Sequence, residues 1–167
     1  SGRLQAFLPQ VEAAKKRIAQ MGWTFAGSEP LKWTLCPKSM GYTGETLGGL
    51  LEEQRIYYEF ADPDYLVLML SPEQPESLTA IEAALETVPA RPAIFQTPPR
   101  PHIPQRAMSI REAMLAPHRE IPVAEALGEI LGALQVSCPP AVPIAVCGEV
   151  IDGQVAEQFQ YYGVETC

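Results

Sequence analysis

The spacing of apolar residues predicts the first helix of the chain. They recur near a period of 3.6 residues: Leu8, Val11, Ala14, Ile18 and Met21. We therefore predict a helix over Leu8–Met21 that Gly22 ends. Pro9 suits its first turn, where the missing N–H is not needed. A second amphipathic helix is predicted later in the chain by the spacing of Leu78, Ile81, Leu85 and Val88.

Strands are predicted between these two helices. Lys32–Cys36 and Tyr57–Phe60 contain the aromatic and β-branched residues that strands favour. Tyr65–Leu70 is apolar on both faces and is expected at the centre of a sheet, after a turn over residues 61–64. The predicted fold class is α+β, with a small, mostly antiparallel sheet that has helices on one face.

A short helix is predicted between the first two strands. Thr43 is its expected N-cap, and an apolar stripe follows it, formed by Leu47, Leu50 and Leu51. Gly48 and Gly49 lie beside the stripe, and each weakens a helix by about 1 kcal/mol relative to alanine. This cost indicates either close packing against a neighbour or simple tolerance.

Six prolines change the composition between Val88 and Met108: Pro89, Pro92, Pro98, Pro99, Pro101 and Pro104. Proline removes backbone donors and blocks helix formation, so we predict a linker over residues 89–107. This linker separates a first domain, residues 3–88, from a second domain, residues 108–167.

The second domain is expected to be a second small α+β piece. Ser109 and Glu112 form a capping box, which predicts a short helix that ends before Pro117. The later patterns predict three more elements: a short helix over Pro122–Leu127, a buried strand over Ile144–Val146, and a last helix from about Gly153 to Tyr162 that Asp152 caps.

Composition excludes several classes of protein. The 167 residues are 47% hydrophobic and 19% charged, which is typical of a folded chain. The net charge of -8 and the lack of a basic stripe argue against nucleic acid, while leaving room for a protein that handles cations. No apolar run is long enough to cross a membrane. Four cysteines without a C-x-x-C pair and two histidines argue against a metal site and favour reduced thiols in the cytoplasm.

The region around Glu149 is the one candidate site. Pro139 and Pro140 force an extended chain, and a stiff segment that presents one carboxylate just after Gly148 could line a pocket for a cationic group. The alternative is an edge segment with a solvated glutamate. The chain has no general catalytic motif, so no catalytic, cofactor-binding or metal-binding residue is assigned.

Three runs resemble the bacterial ornithine/lysine/arginine decarboxylases, and they occur in that family's order. Residues 139–151 (PPAVPIAVCGEVI) resemble its Pro-Pro-Gly-(Ile/Val)-Pro…Pro-Gly-Glu-x-Ile signature. Residues 40–47 (MGYTGETL) with 50–62 (LLEEQRIYYEFAD) are similar to its G-x-T-G-x-E-L…E-x-A-D run. Residues 111–117 (REAMLAP) with 121–128 (IPVAEALG) are similar to its E-A-F-x-A-P…V-P-L-E-E-A-x-G segment. The departures are Cys138, Ala141 and Cys147, where family members have tyrosine, glycine and proline.

The resemblance implies an enzyme of polyamine metabolism that depends on pyridoxal phosphate (PLP) and has the aspartate-aminotransferase fold. None of the four lysines lies in the family's Ser-x-His-Lys context, which belongs to the large domain upstream. The resemblance therefore covers only the small and C-terminal domains. It implies that the PLP is held by an upstream large domain, that the intact enzyme is a homodimer, and that this fragment is inactive alone.

Two other interpretations remain open. The chain could be a stand-alone amine-binding or regulatory module derived from such a domain, or an unrelated small α+β protein. A preceding large domain in the reading frame would favour the decarboxylase, and a start codon just before Leu4 would favour the module. The sequence does not choose among lysine, ornithine and arginine as the substrate.

Overall fold

A computed structural model describes residues 2–132 and 143–167. The chain divides into two compact units, Ser1–Gln96 and Thr97–Cys167. This boundary lies inside the segment predicted as a linker, residues 89–107.

The first unit contains a four-stranded antiparallel sheet in the order β1-β2-β4-β3. The strands are β1 (Phe25–Ala26), β2 (Lys32–Leu35), β3 (Phe60–Ala61) and β4 (Leu66–Met69). The predicted α+β class with a small antiparallel sheet is confirmed, and the apolar run of β4 lies in the interior of the sheet, between β2 and β3. The predicted strand Tyr57–Phe60 was placed too early, because Tyr57 is 75% exposed and pairing with β4 begins at Phe60.

Three α-helices accompany this sheet: α1 (Gly2–Gln20), α2 (Gly44–Glu52) and α3 (Ser77–Thr87). The prediction that α1 begins near Pro9 was wrong, because Pro9 lies inside the helix. Proline removes one helical hydrogen bond. The preceding residues continue the helix all the same, and they bury Phe7 in the core.

The N-terminus of α2 is fixed by the predicted cap and by glycine. The Thr43 Oγ1 atom accepts a hydrogen bond from the Thr46 N–H at 3.2 Å. A Cβ atom on Gly44 would lie 1.9 Å from the Tyr65 carbonyl oxygen, so only glycine allows the helix to approach the loop before β4 this closely.

One face of the sheet and the helices enclose the core of the first unit. Trp33 and Leu35 of β2 lie opposite Leu68 and Leu66 of β4, and all four side chains are buried. The buried residues that the helices add are Phe7, Val11, Ala14 and Ile18 of α1, Leu47 and Leu51 of α2, and Leu78, Ile81, Ala84 and Leu85 of α3. Apolar burial of this kind is the main stabilising contribution to a unit of this size.

Residues 97–132 and 143–167 of the second unit form two helices, α4 (Ile110–Leu115) and α5 (Gly153–Tyr161), and a 3-10 turn at Val123–Glu125. The capping box of Ser109 and Glu112 begins α4 as predicted. Asp152 caps α5 as predicted, since its Oδ1 atom accepts from the Gln154 and Val155 N–H groups. Where a helix was predicted over Pro122–Leu127, the structure has only this short 3-10 turn.

The prediction of a strand at Ile144–Val146 was wrong. The backbone bends there and then turns at Cys147 and Gly148, although Ile144 and Ala145 are buried. Strand-like pairing occurs just afterwards, where residues 148–151 hydrogen-bond to residues 128–131 on one side and to residues 105–107 on the other. We call this arrangement the three-segment ladder.

The proline-rich segment is anchored in both units. In the first unit, the Arg91 and Ile94 N–H groups donate to the Met40 and Lys38 carbonyl oxygens. In the second unit, the Gln158 side chain donates to the Arg100 carbonyl oxygen, and the His102 Nε2 atom lies 2.7 Å from the Asp152 carboxylate. Residues 91–102 therefore make specific contacts on either side of the boundary.

No helix within residues 2–132 and 143–167 is both long enough and apolar enough to cross a membrane.

Candidate functional site

Glu149 lies in the middle segment of the three-segment ladder. It forms a bridge with Arg106 on one side, and on the other its carbonyl oxygen accepts from the Leu131 N–H at 2.9 Å. The ladder thus fixes the backbone that carries the carboxylate.

The turn before Glu149 requires glycine. Gly148 has a φ of +89°, which is left-handed, and a Cβ atom there would lie 2.4 Å from the Met108 carbonyl oxygen. The Glu149 Oε2 atom accepts a hydrogen bond from the Val146 N–H at 2.8 Å, and the Glu149 N–H donates to the Val146 carbonyl oxygen at 3.1 Å. Glu149 therefore closes its own turn, and one carboxylate oxygen is used in doing so.

Next to the ladder, the second unit has an open cavity of about 590 Å³. Its lining residues are Pro117–Ile121, Glu129–Gly132, Ile151 and Cys167. A smaller depression of about 270 Å³ shares Pro117, His118, Glu129, Ile130 and Gly132 with it. Glu149 is not among the described lining residues, since its side chain turns to Val146.

The cavity wall combines apolar and charged groups. Ile121, Ile130, Leu131 and Ile151 supply the apolar part, and His118, Arg119, Glu120 and Glu129 supply the charged or titratable part. The Glu120 carboxylate accepts a hydrogen bond from the Thr166 hydroxyl group. Sequence reasoning missed Glu120 and Glu129, because the only available signal was the overall excess of acidic residues.

The other two predicted site residues, Pro139 and Pro140, lie outside the described residues, as does Cys138. The two histidines of the second unit make different contacts. His102 contacts Asp152, the N-cap of α5. The pKa of Asp152 is lowered mainly by the hydrogen bond from the Val155 N–H and, to a smaller extent, by His102. His118 is exposed at the cavity, where its Nδ1 atom lies 3.1 Å from the Ala116 carbonyl oxygen.

Three further side chains of the two units have shifted pKa values: Cys36, Cys167 and Asp62. Burial raises the pKa of the Cys36 thiol, and the nearby Asp64 carboxylate raises it further. Burial also raises the pKa of the Cys167 thiol. Asp62 is buried, and burial is the main cause of its raised pKa. Its Oδ1 atom accepts hydrogen bonds from the Asp64 and Tyr65 N–H groups, whereas its Oδ2 atom has no described partner.

The described residues do not fit PLP. That cofactor needs a lysine for its Schiff base, an acid at the pyridine nitrogen and a phosphate cradle. The four lysines, at positions 15, 16, 32 and 38, all belong to the first unit, and none of the described cavity residues is a lysine. Lys38 is partly buried, and its Nζ atom donates to the Asp64 carboxylate and to the Gln96 carbonyl oxygen, both at 2.7 Å. Within the part of the chain that the structure describes, no three His, Cys, Asp or Glu side chains cluster as metal ligands would.

Comparison with known proteins finds a distant similarity to part of an enzyme. No family model matches the chain. Over 131 residues the chain is 30% identical to an arginine decarboxylase of Bacillus subtilis, and the match covers 74% of this chain. By sequence, the chain is related to part of a decarboxylase. It spans only 27% of the length of that relative. The activity in the relative's name therefore describes the whole relative and not this chain.

Proposed function

We propose that the chain is the C-terminal part of a PLP-dependent decarboxylase that converts a basic amino acid to its amine and CO2. In this proposal it completes the substrate entrance, packs on an upstream large domain that holds PLP, takes part in a cytoplasmic homodimer, and is inactive alone. The observation that carries the proposal is the 30% identity to an arginine decarboxylase over 131 residues.

The length of the match supports a partial enzyme over a complete one. Because the chain covers 27% of the relative, most of a decarboxylase-length protein is not represented in it. The lysines of this chain do not suit a Schiff base, which agrees with a cofactor held by another domain. The order of the three resembling runs supports the same assignment.

Two features of the second unit support a role beside a cationic substrate. Glu120 and Glu129 line the cavity, and Glu149 is held in the ladder behind it. An ionised carboxylate binds an ammonium or guanidinium group through a charge-assisted hydrogen bond, which contributes about 1.5–3 kcal/mol. A basic amino acid that carries such a group is therefore the substrate class we propose.

The acidic residues at the cavity also favour the second candidate, a stand-alone amine-binding module. Such a module would bind a diamine or a basic amino acid without changing it. The two candidates differ in whether the complete gene product releases CO2.

The deciding experiment uses the complete gene product and the 167-residue chain side by side. We expect CO2 release from arginine, lysine or ornithine by the complete protein with PLP, and none by the chain alone. With PLP added, the chain alone should show no aldimine that borohydride reduces at one defined lysine. A complete protein that binds these amino acids without releasing CO2 would contradict the decarboxylase proposal and favour the binding module.

A further inference from the structure

Helix α4 presents three large apolar side chains to solvent. Ile110, Met114 and Leu115 are 51%, 50% and 75% exposed, and we call these three side chains the α4 face. At 3.6 residues per turn they span about 140° of the helix circumference. Exposed apolar surface of this kind, concentrated on one element, marks an interaction site.

Among the described residues of the second unit, α4 lies outside the hydrophobic core. The described core of this unit consists of Val123, Ala126, Leu131, Ile144, Ala145, Ile151, Val155 and Phe159, none of which belongs to α4. Ala113 is the one α4 residue that is buried. A helix of six residues is not stable in water without tertiary packing, and most of its apolar surface here points outward. A partner surface that covers the α4 face would therefore stabilise α4.

Charge helps to identify what covers it. Arg111 is exposed and lies within the arc that the α4 face spans. If two copies paired through this face about a two-fold axis, their Arg111 side chains would be brought together, and each chain carries a net charge of -8. Both effects oppose pairing with a second copy and favour a partner that supplies a carboxylate opposite Arg111.

We infer that the α4 face is the docking surface for the rest of a decarboxylase-length protein, through an apolar patch with an acidic side chain opposite Arg111. This inference rests on the proposed function, since the chain spans 27% of the decarboxylase it matches and the remaining length would supply the partner surface. It adds to that function the residues through which the C-terminal part docks.

Oxidation of methionine by hydrogen peroxide tests the inference in the complete gene product. Met114 on the α4 face and Met69 on β4 are 50% and 59% exposed, so they form a matched pair. Because oxidation follows exposure, we expect Met114 to oxidise about fivefold more slowly in the complete protein than in the 167-residue chain, and Met69 to stay within about twofold. An added methionine peptide calibrates the peroxide in both samples.

Three outcomes would overturn the inference. The first is an unchanged oxidation rate at Met114, and the second is an equal slowing of both methionines. The third is protection of Met114 in the 167-residue chain that increases with the concentration of that chain, because this would identify a second copy as the partner. A complete protein that decarboxylates while Met114 stays fully reactive would leave the proposed function intact and remove only this docking surface. A complete protein without decarboxylase activity would remove the proposed function itself.

A pair of variants gives an independent test. In the 167-residue chain, Met114→Glu and Met69→Glu should both melt within about 2 °C of the wild type, because both side chains are exposed. In the complete protein, Met114→Glu should lower the melting temperature by about 5 °C or more, whereas Met69→Glu should not. Equal effects of the two variants in the complete protein would contradict the inference.

Discussion

At the scale of single residues, Glu149 closes its own turn, and we propose a second, separable role for its charge at the substrate. Its Oε2 atom closes a turn with the Val146 N–H, and a glutamine at this position keeps an oxygen that can accept the same bond. In the complete gene product, Glu149→Gln should therefore retain the melting temperature, and the proposed substrate role predicts that it raises KM for the basic amino acid by about tenfold. The measurement is steady-state kinetics together with a melting curve.

A purely structural Glu149 gives a different result. Glu149→Ala would then lower the melting temperature, because the buried side of the turn loses its acceptor, and Glu149→Gln would leave KM unchanged. An unchanged KM for Glu149→Gln would remove the substrate role from this residue.

Burial makes the charged form of Asp62 less favourable in the folded state. Its pKa is raised mainly by burial, so the folded state binds this proton more tightly than the unfolded chain does. The contribution of Asp62 to the free energy of unfolding therefore falls as the pH rises through the raised pKa. Asp62→Asn removes the charge and keeps an oxygen that accepts from the Asp64 and Tyr65 N–H groups.

We expect Asp62→Asn to gain stability over the wild type as the pH increases from about 4 to about 8. Urea unfolding at several pH values measures this difference, and Glu53→Gln, at an exposed position, serves as the control. A difference that shrinks with rising pH would show that the Asp62 carboxylate is stabilised in the folded state.

At the scale of elements, the adjacent glycines of α2 differ in whether a neighbour leaves room for a side chain. A Cβ atom on Gly48 would lie 2.6 Å from the Tyr58 ring, whereas one on Gly49 meets nothing within 4 Å. Gly49→Ala should raise the free energy of unfolding by up to about 1 kcal/mol through helix propensity. Gly48→Ala should lower it by about 1–3 kcal/mol, because the ring must move. Chemical denaturation of the two variants measures both values, and equal shifts would contradict this account.

Local sequence predicted those elements whose signal is local. The capping box of Ser109, the caps at Thr43 and Asp152, and the apolar run of β4 each depend on neighbours in the chain, and each was found where predicted. The apolar run at Ile144–Val146 was misassigned because burial alone does not distinguish a strand from a bend that packs against a core.

The candidate site depends on contacts that the sequence does not show. The ladder brings Arg106, Leu131 and Glu149 together over long separations in the chain, so no local periodicity marks it. The acids at the cavity, Glu120 and Glu129, were missed for the same reason. The turn that orients Glu149 follows from the Gly148 backbone and its approach to Met108, which only the folded chain reveals.

At the scale of the whole molecule, the proline-rich segment is where the chain should be cut first. Phe95 is 88% exposed and lies next to the boundary between the units at residues 96 and 97, whereas Phe7 and Phe159 are buried. Limited digestion with chymotrypsin should first give fragments that end at Phe95 and begin at Gln96, as mass spectrometry can show. Phe95→Ala should delay this cut. A first cut inside α1 or α5 would contradict the division.

The uneven distribution of lysine has a practical consequence for labelling. The ε-amino groups all belong to the first unit, and that of Lys38 is hydrogen-bonded to the Asp64 carboxylate and the Gln96 carbonyl oxygen. An amine-reactive dye or biotin ester will therefore modify side chains at positions 15, 16 and 32 and leave residues 97–167 untouched. Immobilised through those amines, the protein would keep the cavity and the α4 face chemically intact for binding measurements.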